Sequence, residues 1–124
     1  MKASLPNYRQ PPRKVRLLAK SLKGQSVKKA LANLDFIGRK ASLPIKKLIN
    51  SAVANAKKND NRSEEGLYIK DIRIDKGIVM KRSMPRAQGR STPIRHRTSH
   101  IKVELADSSI EPIKKVIRKK NIKK

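Results

Sequence analysis

The sequence predicts an α+β domain in which three short helices precede antiparallel strands, and two of those strands run on as a long basic hairpin arm. Three observations carry this. Apolar residues recur at helical spacing three times before residue 60. From Leu67 onward the apolar period changes from 3.6 to two. Between Lys76 and Lys102 stand Lys81, Arg82, Arg86, Arg90, Arg95 and Arg97 without a single acid.

The elements follow in chain order. Residues 1–12 read as irregular or extended, with a first strand fitting Ser4–Gln10 and Pro6, Pro11 and Pro12 as punctuation. Pro12 suits a helix's first turn, where no N–H partner is lost. Val15, Leu18, Ala19 and Leu22 then follow at i, i+3, i+4 and i+7, with Arg13, Lys14, Arg16, Lys20 and Lys23 on other faces. Gly24 is a natural stop. Ser26 is a favourable N-cap for a second helix, with Val27, Ala30, Leu31 and Leu34 on its stripe, ending before Gly38. A third helix runs from Ser42 or Leu43 to Lys58, with Pro44 tolerated in its first turn. Its stripe of Ile45, Leu48, Ile49, Ala52, Val53 and Ala56 reads as core.

Asn59–Gly66 is polar and reads as a loop. Leu67 and Ile69 alternate, then Ile72 and Ile74, and the one-residue shift between the pairs predicts a bulge near Lys70–Asp71. Ile101, Val103 and Leu105 form a matching strand. Ile78–Met84 and Ile94–His100 extend these strands into the arm, with Pro85–Pro93 as its tip and Gly89 as a turn residue at positive φ. Ten extended residues reach roughly 33 Å. The ribbon has no obvious apolar face to bury, and an isolated hairpin is marginal in water, so an external anion is expected to order it. The tail, residues 107–124, is basic, with Ile110, Ile113 and Ile117 at helical spacing. The expected organisation is one domain over 1–106, including the arm 77–101, followed by that tail.

Among 124 residues, 33 Lys and Arg face 9 Asp and Glu, a net charge of +24. Such a chain repels itself and calls for a polyanion. With Tyr8, Phe36 and Tyr68 the only aromatics, the composition argues against ring platforms for single strands, and contact is expected mainly through phosphate, shape and groove edges. The absence of Cys removes disulfides and thiolate metal sites. Met1–Lys20 lacks a signal-type apolar run, and no stretch approaches the ~18 apolar residues of a membrane span. A soluble cytoplasmic protein with no membrane partner is expected.

Catalytic chemistry is not supported. His96 and His100 stand four apart, a metal-binding spacing on a helix but about 13 Å apart along a strand, and neither Cys nor a nearby carboxylate completes a site. The acid nearest His96 is Glu104, so no general-base pair is evident locally. Gly89, in Arg-Ala-Gln-Gly-Arg, is not part of a phosphate-binding loop. The expectation is a non-enzyme without metal or cofactor. The arm's arginines can grip phosphates in pairs of hydrogen bonds and stack on exposed bases. Lys46, Lys47, Lys57 and Lys58 on the third helix face either solvent or RNA.

Met80-Lys81-Arg82-Ser83-Met84-Pro85-Arg86-Ala87-Gln88-Gly89-Arg90 followed by Arg97-Thr98-Ser99-His100-Ile101 resembles the signature of the large-subunit ribosomal protein twenty-two family. Pro12-Arg13-Lys14-Val15-Arg16-Leu17, Ser51-Ala52-Val53-Ala54-Asn55-Ala56 and Leu67-Tyr68-Ile69 resemble further stretches of it, in the same order over about residues 8–106. The resemblance implies a three-stranded antiparallel sheet packed on three helices, and binding to several domains of 23S-type rRNA. It implies an arm whose tip lines the nascent-peptide tunnel opposite ribosomal protein L-four, near the macrolide region. Carried over, Arg9, Arg13, Lys14, Arg16 and Lys20 meet rRNA at the globular end. Lys81, Arg82, Arg95, Arg97, Thr98 and His100 do so along the arm, and Met84, Pro85, Arg86, Ala87, Gln88, Gly89 and Arg90 form the tip. Lys28 and Lys29 depart from the family, which often carries acids there. Ser91-Thr92-Pro93 is also an uncommon form of the descending tip, and the tail lies outside the resemblance. The rival class is a basic DNA-compacting protein, for which the sequence offers no clear dimer seam. A ribonuclease toxin lacks the catalytic groups.

Overall fold

Each apolar stripe finds its counterpart in a single core. In the computed structural model, which describes residues 1–60 and 66–107, the elements are β1 (Lys2–Tyr8), α1 (Pro12–Leu22), α2 (Val27–Phe36), α3 (Ser42–Asp60), β2 (Leu67–Pro85) and β3 (Ser91–Asp107). The basic tail lies outside the described residues from 108 onward. Val15, Leu18, Ala19 and Leu22 of α1 are buried, as are Val27, Ala30 and Leu34 of α2 and all six stripe residues of α3. The strands contribute Leu67, Ile69, Ile72 and Ile74 from β2 and Ile101, Val103 and Leu105 from β3. Pro12 occupies the first turn of α1. Ser26 stands at the N-cap of α2, but its hydroxyl makes no capping bond. Ser26 instead bridges to Tyr68 while its carbonyl accepts from Ala30 N–H at 2.9 Å.

The sheet is antiparallel, in the order β1-β3-β2. The expected first strand is shifted toward the N-terminus. Asn7 takes φ 52°, a left-handed conformation that Asn tolerates, and it breaks register between Leu5 and Tyr8. Gln10 N–H then turns back to the Tyr8 carbonyl at 2.8 Å, so Arg9 and Gln10 leave the sheet. The third helix outruns its expected end by two residues. Two bulges shape β2. The first, between Ile69 and Asp71, is the expected one and returns Ile72 and Ile74 to the core face. The second, between Lys76 and Val79, sits at the root of the arm.

Two outcomes are expected from this core. Ile49, fully buried on α3, should lose about 2–5 kcal/mol on replacement by Ala, a large share of a small domain's stability, measurable by urea denaturation. Beyond Thr98 and Ser99, every arm residue from Lys81 to Arg97 is exposed. Amides there should exchange with solvent far faster in the free protein than those of residues 101–105, whose side chains alternate into the core.

Candidate nucleic-acid interface

The interface is built by continuing a core pattern outward with a different chemistry. Along β3, Leu105, Val103, Ile101 and Ser99 point inward and are buried. The same alternation carries Arg97 and Arg95 onto that face once the helices end. Across the ladder Val79 pairs with Arg97 and Lys81 with Arg95. One arm face is therefore cationic and joins Arg13 and Arg16 of α1 and Lys76 of β2, which line the same cleft.

The opposite face carries Met80 opposite His96, Arg82 opposite Ile94 and Met84 opposite Thr92. Met80, Ile94 and Met84 are diagonal neighbours on it. The expectation of an arm without an apolar face is thus corrected: a narrow apolar seam exists, with Met84 44% and Ile94 37% exposed, flanked by Arg82 and His96. Sequence reading missed it because the residues lie on two strands, and only the pairing places them together.

The root of the arm is tightly built. An added Cβ at Gly77 would lie 2.3 Å from Thr98 Oγ1 and 3.2 Å from the Thr98 carbonyl carbon. The Thr98 hydroxyl donates to the Ile78 carbonyl at 2.8 Å. Thr98, expected among the RNA-contacting residues, is only 4% exposed and holds the bulge. His100, also in that group, accepts the Asn7 N–H on Nδ1 at 3.1 Å, which ties β1 to β3. Arg16 donates to the Ile74 carbonyl at 3.0 Å, so this cation also staples α1 to the edge of β2. Gly77 carried no signal in the sequence beyond its residue type.

At the tip, Ala87–Gly89 form one 3-10 turn. Gln88 (φ 57°) and Gly89 (φ 68°) are both left-handed, so the turn requires more than the single glycine expected. Arg86 N–H donates to the Arg90 carbonyl at 2.7 Å and Arg90 N–H to the Ala87 carbonyl at 3.3 Å. Pro85 pairs with Ser91, Met84 with Thr92 and Ser83 with Pro93, which sets the register of the descending strand. Arg86 Nε reaches the Thr92 hydroxyl at 3.4 Å.

Two clefts flank the root. One, of about 380 Å³, is lined by Arg9, Pro11, Met80, Arg82, Arg95, His96, Arg97 and Thr98. The other, of about 620 Å³, lies between α1 and the arm and includes Pro11, Pro12, Arg13, Arg16, Val79 and Lys81. Among the described residues no carboxylate lines either cleft. Acidic side chains form ion pairs away from both clefts. Lys2 pairs with Glu104 at 3.1 Å, Lys46 with Asp35 at 2.5 Å and Lys23 with Asp71 at 2.7 Å. The hydrogen bond from Lys23 holds the Asp71 carboxyl below its ordinary pKa and clips α1's C-cap to the first bulge of β2. Lys46 is thereby engaged with a protein carboxylate. Lys14 and Lys20 are exposed on α1.

The family model for ribosomal protein L22p/L17e matches residues 3–106. The chain belongs to this family. Relatives named large ribosomal subunit protein uL22 agree with it along most of their length. That of Herpetosiphon aurantiacus is 45% identical, over 88% of this chain and 96% of its own. The Mycoplasma capricolum protein is 42% identical, over 86% and 96%. The Deinococcus radiodurans protein is 46% identical, over 80% of this chain and 74% of its own. The family match thus spans β1, the helices, the whole arm and β3 almost to its end, so the cationic arm face belongs to the shared portion. Among the described residues no helix is long and apolar enough to cross a membrane.

Proposed function

We propose that this chain is a structural constituent of the large ribosomal subunit in the cytoplasm, that it binds 23S-type rRNA, aids subunit assembly, and carries no catalytic activity. The observation that supports this most is the arm: strands of 19 and 17 residues whose outer stretches, 81–85 and 91–97, are exposed throughout and carry no acid. Such a ribbon acquires order and neutralisation together when it threads between RNA helices.

In this reading residues 1–106 act as one RNA-binding domain, followed by the basic tail from 107. Arg9, Arg13, Lys14, Arg16 and Lys20 hold RNA at the globular end. Lys81, Arg95 and Arg97 hold it along one face of the arm, and Arg82 along the other. Thr98 and His100 contact rRNA at the root of the arm, which their hydrogen bonds within the chain also fix. The tip from Met84 to Arg90 lines the peptide exit tunnel, facing the nascent chain and, across the lumen, ribosomal protein L-four. Neighbouring ribosomal proteins complete its surroundings.

Co-sedimentation of the tagged chain with large subunits through a high-salt wash tests the reading, and recovery with the nucleoid instead would replace it with a DNA-compacting role. A second test uses salt. Affinity for the cognate rRNA fragment should fall steeply as salt rises, because each phosphate contact releases counterions. A flat response over the same range would rule out phosphate-dominated binding.

A further inference from the structure

The cleft between α1 and the arm root has a mixed lining that phosphate binding alone does not explain. Its volume, about 620 Å³, falls in the ~300–1,000 Å³ range of small-molecule sites. A duplex is far too wide to enter it, whereas a single unpaired nucleotide is not. Its lining is largely cationic, with Pro11 and Val79 as exposed apolar members beside the buried Pro12. Val79 is 42% exposed in the middle of a cationic face. The extra residue at the Lys76–Val79 bulge puts it there, since uninterrupted alternation would have carried Ile78 to that position. A phosphodiester alone gains nothing from an apolar wall, but a base removed from its stack does. Arg95 and Arg97 also line the cleft, and Arg planes stack on unstacked bases. One base seated on aliphatic and guanidinium surface needs none of the rings this chain lacks.

We propose that this cleft seats a single unstacked rRNA nucleotide, its base against Pro11 and Val79 and its phosphate among Arg13, Arg16 and Lys81. The inference rests on the rRNA-binding reading and deepens it, naming what one part of the interface takes. In this arrangement the nucleotide bridges α1 and the arm and fixes the angle at which the arm leaves the domain.

The test uses large subunits assembled with the full chain, either unaltered or carrying Val79→Trp, which projects bulk into the cleft from its apolar side. Bases are probed with dimethyl sulfate and a carbodiimide, which together report the Watson–Crick edges of all four. In unaltered particles one unpaired base is protected. In Val79→Trp particles that base gains reactivity roughly fivefold or more, the low end of what loss of one base's stacking contact produces, while other protections persist. No gain at any single base in assembled Val79→Trp particles overturns the proposal. If Val79→Trp is not incorporated, Val79→Ser decides by the same readout, because it removes the apolar wall without adding bulk. Failure of the rRNA-binding reading is seen separately and earlier, as absence of the unaltered chain from the subunit peak of a gradient, and would overturn both.

Discussion

Particles in which Lys81, Arg82, Arg95 and Arg97 are all replaced by Ala should be severely depleted of this protein, while particles with Arg86 and Arg90 replaced should retain it. The four stem cations supply charge-assisted contacts, each contributing about tenfold or more in affinity once desolvated against phosphate. Their losses need not add simply, because Lys81, Arg95 and Arg97 share one face and a cross-strand pair. Arg82 stands on the other face, so its single replacement should weaken retention least if the cationic face dominates. At the tip, the turn closes through backbone bonds between Arg86 and Arg90 and from Arg90 to Ala87, which Ala substitution keeps. The tip pair should therefore leave assembly near normal and alter the response to macrolides or tunnel-stalling peptides, scored on assembled particles alone. Quantitative mass spectrometry of purified subunits provides the comparison. Equal loss from both sets would refute the division between stem and tip.

Gly77→Ala should be the most damaging small substitution in the arm. Its methyl would sit 2.3 Å from the Thr98 hydroxyl and 3.2 Å from Thr98 backbone. The hydroxyl can swing away only by giving up its bond to the Ile78 carbonyl, and the backbone contact cannot yield without moving the strand. Overpacking of this kind typically costs about 1–3 kcal/mol, and the broken hydrogen bond adds to it. Thermal unfolding of the free protein should show a drop on the order of 10 °C for this domain size. Thr98→Ala in the same chain removes the 2.3 Å contact and should recover part of the loss. If the double variant is no more stable than Gly77→Ala alone, the hydroxyl is not the obstacle. Retention in the large subunit should fall as well, because the arm would leave the domain at a different angle while α1–α3 stay packed.

Residue order alone announced the helices, because a 3.6-residue stripe such as Ile45, Leu48, Ile49, Ala52, Val53 and Ala56 depends on neighbours within one element. It announced the first bulge for the same reason, since Ile69 and Ile72 break a local alternation. It also marked the arm by its acid-free run of cations, and the family by the residues along that arm. What the arm presents on each face was not open to that reading. Met80 and Ile94, fourteen positions apart in sequence, share a seam only because the ladder sets Met80 against His96 and Arg82 against Ile94. That register depends in turn on the extra residue between Lys76 and Val79, which no alternation of apolar residues marks. Thr98 stood among the RNA-contacting residues only through the family resemblance, which does not say what its hydroxyl meets within the chain. Folding chose the carbonyl of Ile78, twenty residues away, by closing β2 and β3 together at the one place where Gly77 leaves room. Periodicity is a property of consecutive residues, whereas register, close approach and burial at the arm root arise from pairings across the chain.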